Sequence, residues 1–341
     1  MKRDAIGRRV EFREALAGWF AGCGKDYPWR RTRDAYAVLV SEVMLQQTQI
    51  ATVLGKGYFG RFLAMFPEVA ALAAADDERL LKAWEGLGYY RRARMLRETA
   101  RAVIARHGGI FPQEPDELLE LPGIGRYTAG ALRAFAFDLP GTVVDGNVAR
   151  VLARLMNFSG PVDDTKGQRQ LWTWAETLED KLHPRVYNSA VMELGQTLCR
   201  PGVPACGTCP VAAFCRAKSP ERLPVKRQHT VITAVDEHAL WLHDGCGRVL
   251  MHCEDGTRRT GLWKLPTRAA AEISHLPVVA ELRYAITRFR VRLRVHDGGL
   301  EGLPLAQGET WLEPAAVAHL PMPSPFRKVV GKLFENLTNQ M

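Results

Sequence analysis

Four cysteines, Cys199, Cys206, Cys209 and Cys215, fall within 17 residues at the spacing C-x6-C-x2-C-x5-C. Thiols this dense in a chain without an evident export signal point to metal ligation rather than to a disulfide framework. Zinc sites usually present two short Cys or His pairs. Here only Cys206 and Cys209 form such a knuckle, and the outer spacings of six and five suit a wrapped loop better; four thiolates can also hold an iron–sulfur cluster, although this spacing is not that of bacterial or plant ferredoxins. Zinc and iron–sulfur both remain open on spacing alone. Arg200, Arg216 and Lys218 make the loop basic, so it is also a candidate for facing phosphate. Cys23, Cys246 and Cys253 lie apart and need only ordinary packing or surface roles.

A second kind of chemistry sits in LPGIGRYTAG (121–130). Pro122 ends one helical run, and Gly123 and Gly125 permit a tight turn before the next. Backbone N–H groups exposed there would hold a phosphate oxygen, whereas the plain alternative is a packing corner between two helices. Asp145 follows in VVDGNVARVLARL (143–155). It reads first as an N-cap, the commonest role of Asp before a helix, and secondly as a fixed negative charge beside a bound strand; the two roles are compatible. Glu42 lies in YAVLVSEVMLQQTQIATVLG (36–55), which reads as one helix with Glu42 on the face of Val38, Leu39 and Leu45. A carboxyl on an apolar face has a raised pKa, as a general acid near neutrality requires. Pairing with a buried Arg, or simple exposure, is the plain alternative.

These groups need a scaffold. Residues 1–216 read as mostly helical, with helices of about 10–18 residues between Pro and Gly punctuation. Composition changes at AKSPERLPVKRQH (217–229), which reads as a linker. Alternating runs such as TVITAV and RFRVRLRV then indicate strands of a smaller α+β domain.

The chain has 341 residues, 47% apolar and 24% charged, with 46 Lys and Arg against 37 Asp and Glu. This composition excludes general disorder and suits two or three globular domains. A net charge of +9 favours a polyanionic partner, most simply nucleic acid. No run approaches the ~18 apolar residues of a membrane span. The start, MKRDAIGRRVEFREALAGWF, lacks an apolar stretch and carries Asp4, Glu11 and Glu14, so a cytoplasmic protein with no signal peptide and no membrane partner is expected.

SEVMLQQTQ, EGLGYYRRAR, LPGIGRYTAG, VDGNVARVLAR and the four-cysteine loop occur in the order of the helix-hairpin-helix DNA glycosylases. Over roughly residues 25–216 the chain closely resembles the MutY family of adenine DNA glycosylases, and GLWKLP (262–267) extends the match more loosely. The resemblance implies a mainly α helix-hairpin-helix fold. A six-helix barrel (36–140) stands beside an iron–sulfur cluster domain (1–35 and 141–216). After the linker (217–229) comes a Nudix-like lesion-recognition domain (230–341) without a Nudix box.

The implied activity is base excision repair: hydrolysis of the N-glycosidic bond of adenine mispaired with 8-oxoguanine or guanine in duplex DNA, by a monomer. The implied cofactor is a 4Fe-4S cluster on Cys199, Cys206, Cys209 and Cys215. By position, Glu42 protonates adenine, Asp145 stabilises the cationic sugar, and Asn147 helps hold Asp145 and the sugar phosphate. Trp29, Arg30, Leu45, Tyr127 and Glu193 line the adenine pocket. Gln47, Thr48, Leu87 and Tyr89 face 8-oxoguanine, with Gln47 and Tyr89 wedging into the stack. The family's Phe-Ser-His-like lesion reader is replaced here by Ile286, Thr287 and Arg288.

Two rival readings follow from the same residues. An endonuclease III-like glycosylase/lyase needs a Lys amine for a Schiff base, at the position held here by Tyr127. A non-enzymatic iron–sulfur DNA-binding protein would have no use for Glu42 and Asp145. One further expectation comes from alternation: Arg288, Arg290, Arg292 and Arg294 share a strand face, whose mutual repulsion calls for a polyanion unless the face merely blunts an edge strand.

Overall fold

The computed structural model describes residues 5–227, 231–244, 246–256, 259–299 and 305–340. The chain forms two compact units, one of residues 1–46 and 98–229, the other of 47–97 and 230–341.

The first unit is helical. Its core gathers Phe12 and Leu16 of the helix Arg9–Cys23, Val151, Leu152 and Leu155 of Gly146–Leu155, Leu171 and Leu178 of Thr165–Leu178, and Tyr187, Ala190 and Leu194 of Pro184–Thr197. Asp145 and Asp164 cap two of these helices, each carboxylate accepting a backbone N–H of the first turn. The helix Ala35–Leu45 is almost uniformly apolar, and its residues 35–44 are all buried. Asp34 caps it, accepting from the N–H groups of Tyr36 and Ala37 at 3.0 and 3.3 Å.

The segment 36–55 is therefore not one helix. The helix ends at Leu45, Gln47 adopts a left-handed φ of 59°, and a new helix runs Ile50–Gly55. The polar run Gln46–Gln49 has no apolar face to continue burying, so the chain turns. The helices that follow are shorter than the expected 10–18 residues: Tyr58–Met65, Val69–Ala73 and Asp77–Ala83. Gly57 in a left-handed conformation and the cap at Asp76 punctuate them.

The glycine turn joins the helix Pro115–Leu119 to Arg126–Ala131. Leu121 and Ile124 anchor it in the interior, while Gly123 is exposed with φ 78°. A side chain at 123 would be strained there; Gly125 is extended, at φ −99°. Arg126–Ala131 runs into a π-helical turn, Leu132–Ala136.

Beyond that turn, the segment 141–147 is hemmed in by backbone. A Cβ on Gly130 would lie 2.1 Å from the Thr142 carbonyl oxygen, and one on Gly141 would lie 2.4 Å from that of Gly130. A Cβ on Gly195 would lie 2.7 Å from Cβ of Asn147. The buried Glu179 accepts from Gly141 N at 2.6 Å and Thr142 Oγ1 at 2.8 Å. Residues of the expected linker are hydrogen-bonded within the same unit: Lys218 N donates to Asn157 Oδ1, Val162 N to the Val225 carbonyl, and Arg227 N to Asp163 Oδ1.

The second unit combines the short helices with an α+β module. Its strands are β1 (Thr233–Trp241), β2 (Val249–Cys253), β3 (Trp263–Lys264), β4 (Val278–Ile286), β5 (Phe289–Asp297) and β6 (Glu309–Leu312). They form two three-stranded sheets, ordered β1-β5-β4 and β3-β2-β6. β1 runs parallel to β5, and β4 pairs antiparallel with it. The module's core includes Trp241, Met251, Leu293, Val295, Phe326 and Val330.

β5 is the central strand of its sheet, and its arginine face is not bare. Arg292 pairs with Glu281 of β4 at 2.7 Å, Arg294 reaches the same carboxylate at 3.8 Å, and Asp236 of β1 stands opposite Arg292. Neighbouring strands thus offset the repulsion expected from sequence, so Arg292 and Arg294 do not require a polyanion.

Candidate active site

Glu42 sits on the buried helix Ala35–Leu45 and is only 6% exposed. Tyr127, on the first turn after the glycine turn, donates its hydroxyl to Glu42 Oε2 at 2.7 Å. Burial pushes the Glu42 carboxyl up to about 7; the phenol hydrogen bond opposes this and the nearby Asp145 charge reinforces it. Burial and the carboxylates of Glu42 and Asp145 raise Tyr127 well above its ordinary value, so it remains a neutral donor.

Asp145 does cap the helix Gly146–Leu155, with Oδ1 accepting from Val148 N at 2.7 Å. Oδ2 accepts from Asn147 Nδ2 at 2.9 Å. Burial raises its pKa, while these hydrogen bonds hold it back. Glu42 and Asp145 therefore differ in kind: one carboxyl is buried against a neutral phenol, and the other is tied into a helix N-terminus that favours negative charge.

A hydrogen-bonded chain leads away from Asp145. Asn147 Oδ1 accepts from Arg150 Nη2 at 2.9 Å, and Arg150 Nε donates to the Cys199 carbonyl at 2.7 Å. One turn on, Arg154 is 1% exposed. It donates to the carbonyls of Pro220, Leu223, Arg200 and Gly202 and to the sulfur of Cys199. Sequence reasoning missed both arginines, although an i, i+4 pair of arginines on an apolar helix was a legible signal.

The remaining expected pocket residues form a second group. Arg30 Nη1 donates to Glu193 Oε2 at 2.8 Å and to the Lys25 carbonyl at 2.7 Å. Its guanidinium lies over Tyr27 and Phe20, and Tyr27 stacks on Trp29. Glu193 is fully buried, and its Oε1 has no hydrogen-bond partner among the described residues. A buried acceptor left over calls for a donor that the described residues do not supply. Leu45 ends its helix partly exposed.

In the second unit, Gln47 is exposed, Tyr89 is 44% exposed, and both have left-handed backbones. Leu87 packs inside, 5% exposed, and Thr48 is half-buried. Thr287 and Arg288 form the two-residue turn between β4 and β5, with Ile286 paired to Phe289. Thr287 has φ 48°, an unusual conformation for a β-branched residue.

The cysteines lie on one loop. Cys209 N donates to the Cys206 carbonyl, and Cys199, Cys209 and Cys215 pack against the helical core. Burial and the neighbouring Cys199, Cys215 and Cys206 push the Cys209 thiol up to about 11. No three Cys, His, Asp or Glu groups among the described residues converge on a single-ion site. No helix among the described residues is long and apolar enough to cross a membrane.

Residues 40–177 match the family model of the HhH-GPD superfamily base excision DNA repair proteins. The adenine DNA glycosylase of Homo sapiens is 45% identical over 222 residues, covering 62% of this chain and 40% of the relative. That of Arabidopsis thaliana is 36% identical over 300 residues, 75% of this chain and 47% of the relative. That of Buchnera aphidicola from Acyrthosiphon pisum is 34% identical over 219 residues, 63% and 62% respectively. The chain thus spans between two-fifths and about three-fifths of these relatives' length. Among solved structures, a thermostable thymine-DNA glycosylase aligns with TM-score 0.56 and 29% identity, covering 62% of this chain and 98% of that one. A non-covalent endonuclease III–DNA complex aligns with TM-score 0.52 and 24% identity, covering 62% and 95%, a likeness of fold.

Proposed function

We propose that this chain, which resembles the MutY adenine DNA glycosylases, is a base excision repair enzyme. In this reading it hydrolyses the N-glycosidic bond of adenine mispaired with 8-oxoguanine or guanine. The observation that carries this is the pairing of Glu42, buried against the Tyr127 hydroxyl with a pKa raised to about 7, with Asp145 fixed at a helix N-terminus. Relatives named adenine DNA glycosylase supply the choice of base.

The base must leave the duplex before any residue can reach it. The glycine turn holds the backbone, Gln47 and Tyr89 fill the gap, and the flipped adenine meets Arg30 and Glu193, whose spare Oε1 accepts from the exocyclic amine. Protonated Glu42 gives its proton to adenine N7. The electron pair of the C1′–N9 bond leaves with the base, and the sugar becomes an oxocarbenium ion facing the Asp145 carboxylate. Water adds at C1′, and Glu42, now ionised, takes up the proton that water releases. A neutral phenol at 127 cannot form a Schiff base, so the enzyme is monofunctional, which disfavours the glycosylase/lyase reading.

Cys199, Cys206, Cys209 and Cys215 would hold a 4Fe-4S cluster. Bound there, it would supply a redox-capable inorganic centre held by these four thiolates. The α+β module is read as the Nudix-like element that contacts the 8-oxoguanine strand through Thr287 and Arg288. The active species is a monomer on duplex DNA in the cytoplasm.

Incubation with duplexes carrying adenine opposite 8-oxoguanine, adenine opposite guanine, or an oxidised pyrimidine opposite guanine tests the reading. Free adenine and alkali-dependent breaks in the first two are expected. Release of the oxidised pyrimidine, or strand cleavage without alkali, would overturn it.

A further inference from the structure

We propose that Arg92 is the positioning residue of the strand-wedging elements, its guanidinium tying the turn at Thr48 to the loop Leu87–Tyr89. This rests on the adenine glycosylase reading and deepens it. Arg92 lies in the first turn of the helix Arg91–His107. Its Nη2 donates to the carbonyls of Leu87 at 3.0 Å and Gly88 at 3.2 Å, and more distantly to Thr48 Oγ1 at 3.4 Å. The guanidinium lies 5.5 Å from the ring centres of both Trp84 and Tyr89.

The loop it holds is unusual. Tyr89 has φ 48°, and Gly86 and Gly88 are also left-handed. A Cβ on Gly86 would lie 1.9 Å from the buried Tyr58 hydroxyl. Fully buried Trp84 fastens the loop from beneath, donating Nε1 to the Gly88 carbonyl at 3.1 Å. On the other side, Gln47 has φ 59°. Left-handed backbone at non-glycine residues persists only where surroundings over-determine it. Arg92 contacts both segments and the Tyr89 ring. A planar fork of donors suits this task, since it can reach several acceptors while stacking on an aromatic face. Burial lowers the guanidinium to about 10, so it keeps its charge at neutral pH.

A wedge acts on base extrusion and not on bond cleavage. Its support should therefore matter when the target base is stacked and matter little when the base is already free. The test compares full-length wild type, Arg92→Met and Arg92→Lys in single-turnover excision on two duplexes. One carries adenine opposite 8-oxoguanine in a fully paired context; the other carries the same adenine flanked by mismatches. A third duplex with 2-aminopurine beside the lesion reports unstacking by its fluorescence.

Arg92→Met should slow excision by roughly tenfold to hundredfold on the paired duplex. It should lose little on the unstacked one and abolish the fluorescence rise. Arg92→Lys, which keeps charge but not the fork, should follow Arg92→Met if milder. Equal losses on both duplexes, a preserved fluorescence rise, or a wild-type Arg92→Lys would overturn the proposal. Failure of the wild type to release adenine from any duplex would instead overturn the underlying glycosylase reading.

Discussion

Replacing Glu42 by Gln should stop base release and, at the same time, stabilise the fold above neutral pH. The side chain is 6% exposed, and its carboxyl titrates at about 7 instead of 4.5. In the unfolded chain it ionises near 4.5, so between 4.5 and about 7 the folded protein binds a proton that the unfolded chain has lost. Stability present below the lower value is therefore lost as pH rises to the higher one. The interval from 4.5 to about 7, at ~1.36 kcal/mol per pH unit, corresponds to about 3 kcal/mol. Gln removes that loss while keeping an acceptor for the Tyr127 hydroxyl. Urea unfolding of both proteins at about pH 5 and about pH 8 measures the difference. The variant should gain little at the lower pH and about 3 kcal/mol at the higher. An advantage equal at both values, or none, would refute the burial of a titrating acid at position 42. Retained single-turnover excision would refute its role as the proton donor.

Tyr127→Phe removes a donor that favours the ionised form of Glu42, so the basic limb of the pH–rate profile should move upward by about one unit. A downward move would show that the hydroxyl does not face the acid. Substituting Cys206 or Cys209 by Ala should remove iron and visible absorption from the purified protein and weaken DNA binding; stoichiometric zinc in the wild type would contradict the cluster assignment. Thr287→Ala or Arg288→Ala should reduce the preference for 8-oxoguanine over guanine in paired excision assays, and an unchanged ratio would sink their lesion-reading role.

Local chemistry was the legible part of the sequence. Glu42 on an apolar face, the turn at Gly123 and the cap at Asp145 all depend on neighbours within a few residues, and the structure places them accordingly. What escaped depends on contacts between distant segments. Arg150 and Arg154 owe their partners to the loop 199–223, whose backbone carbonyls meet their guanidinium groups from far along the chain. The arginines of β5 read as an unbalanced face because Glu281 arrives from β4 through strand register. The break after Leu45 was concealed by apolar residues on either side, whose spacing does not reveal that Gln47 turns left-handed. Glu179, which anchors Gly141 and Thr142, carries no local mark of that task.

The crowding around 141–147 sets a limit on mutational tolerance. Gly130, Gly141 and Gly195 each leave no space for a methyl group beside the segment that ends in Asp145 and Asn147. None of the three bears a reactive group, and alanine at any of them changes neither charge nor polarity. A single added carbon would nevertheless push against a peptide carbonyl or the Asn147 side chain, and the cheapest relief is to displace the chain that carries the carboxylate. Such variants should look like catalytic lesions, with excision slowed well before the protein ceases to bind DNA. A substitution-effect map of this chain would therefore show a silent-looking glycine triplet as intolerant as the acids themselves.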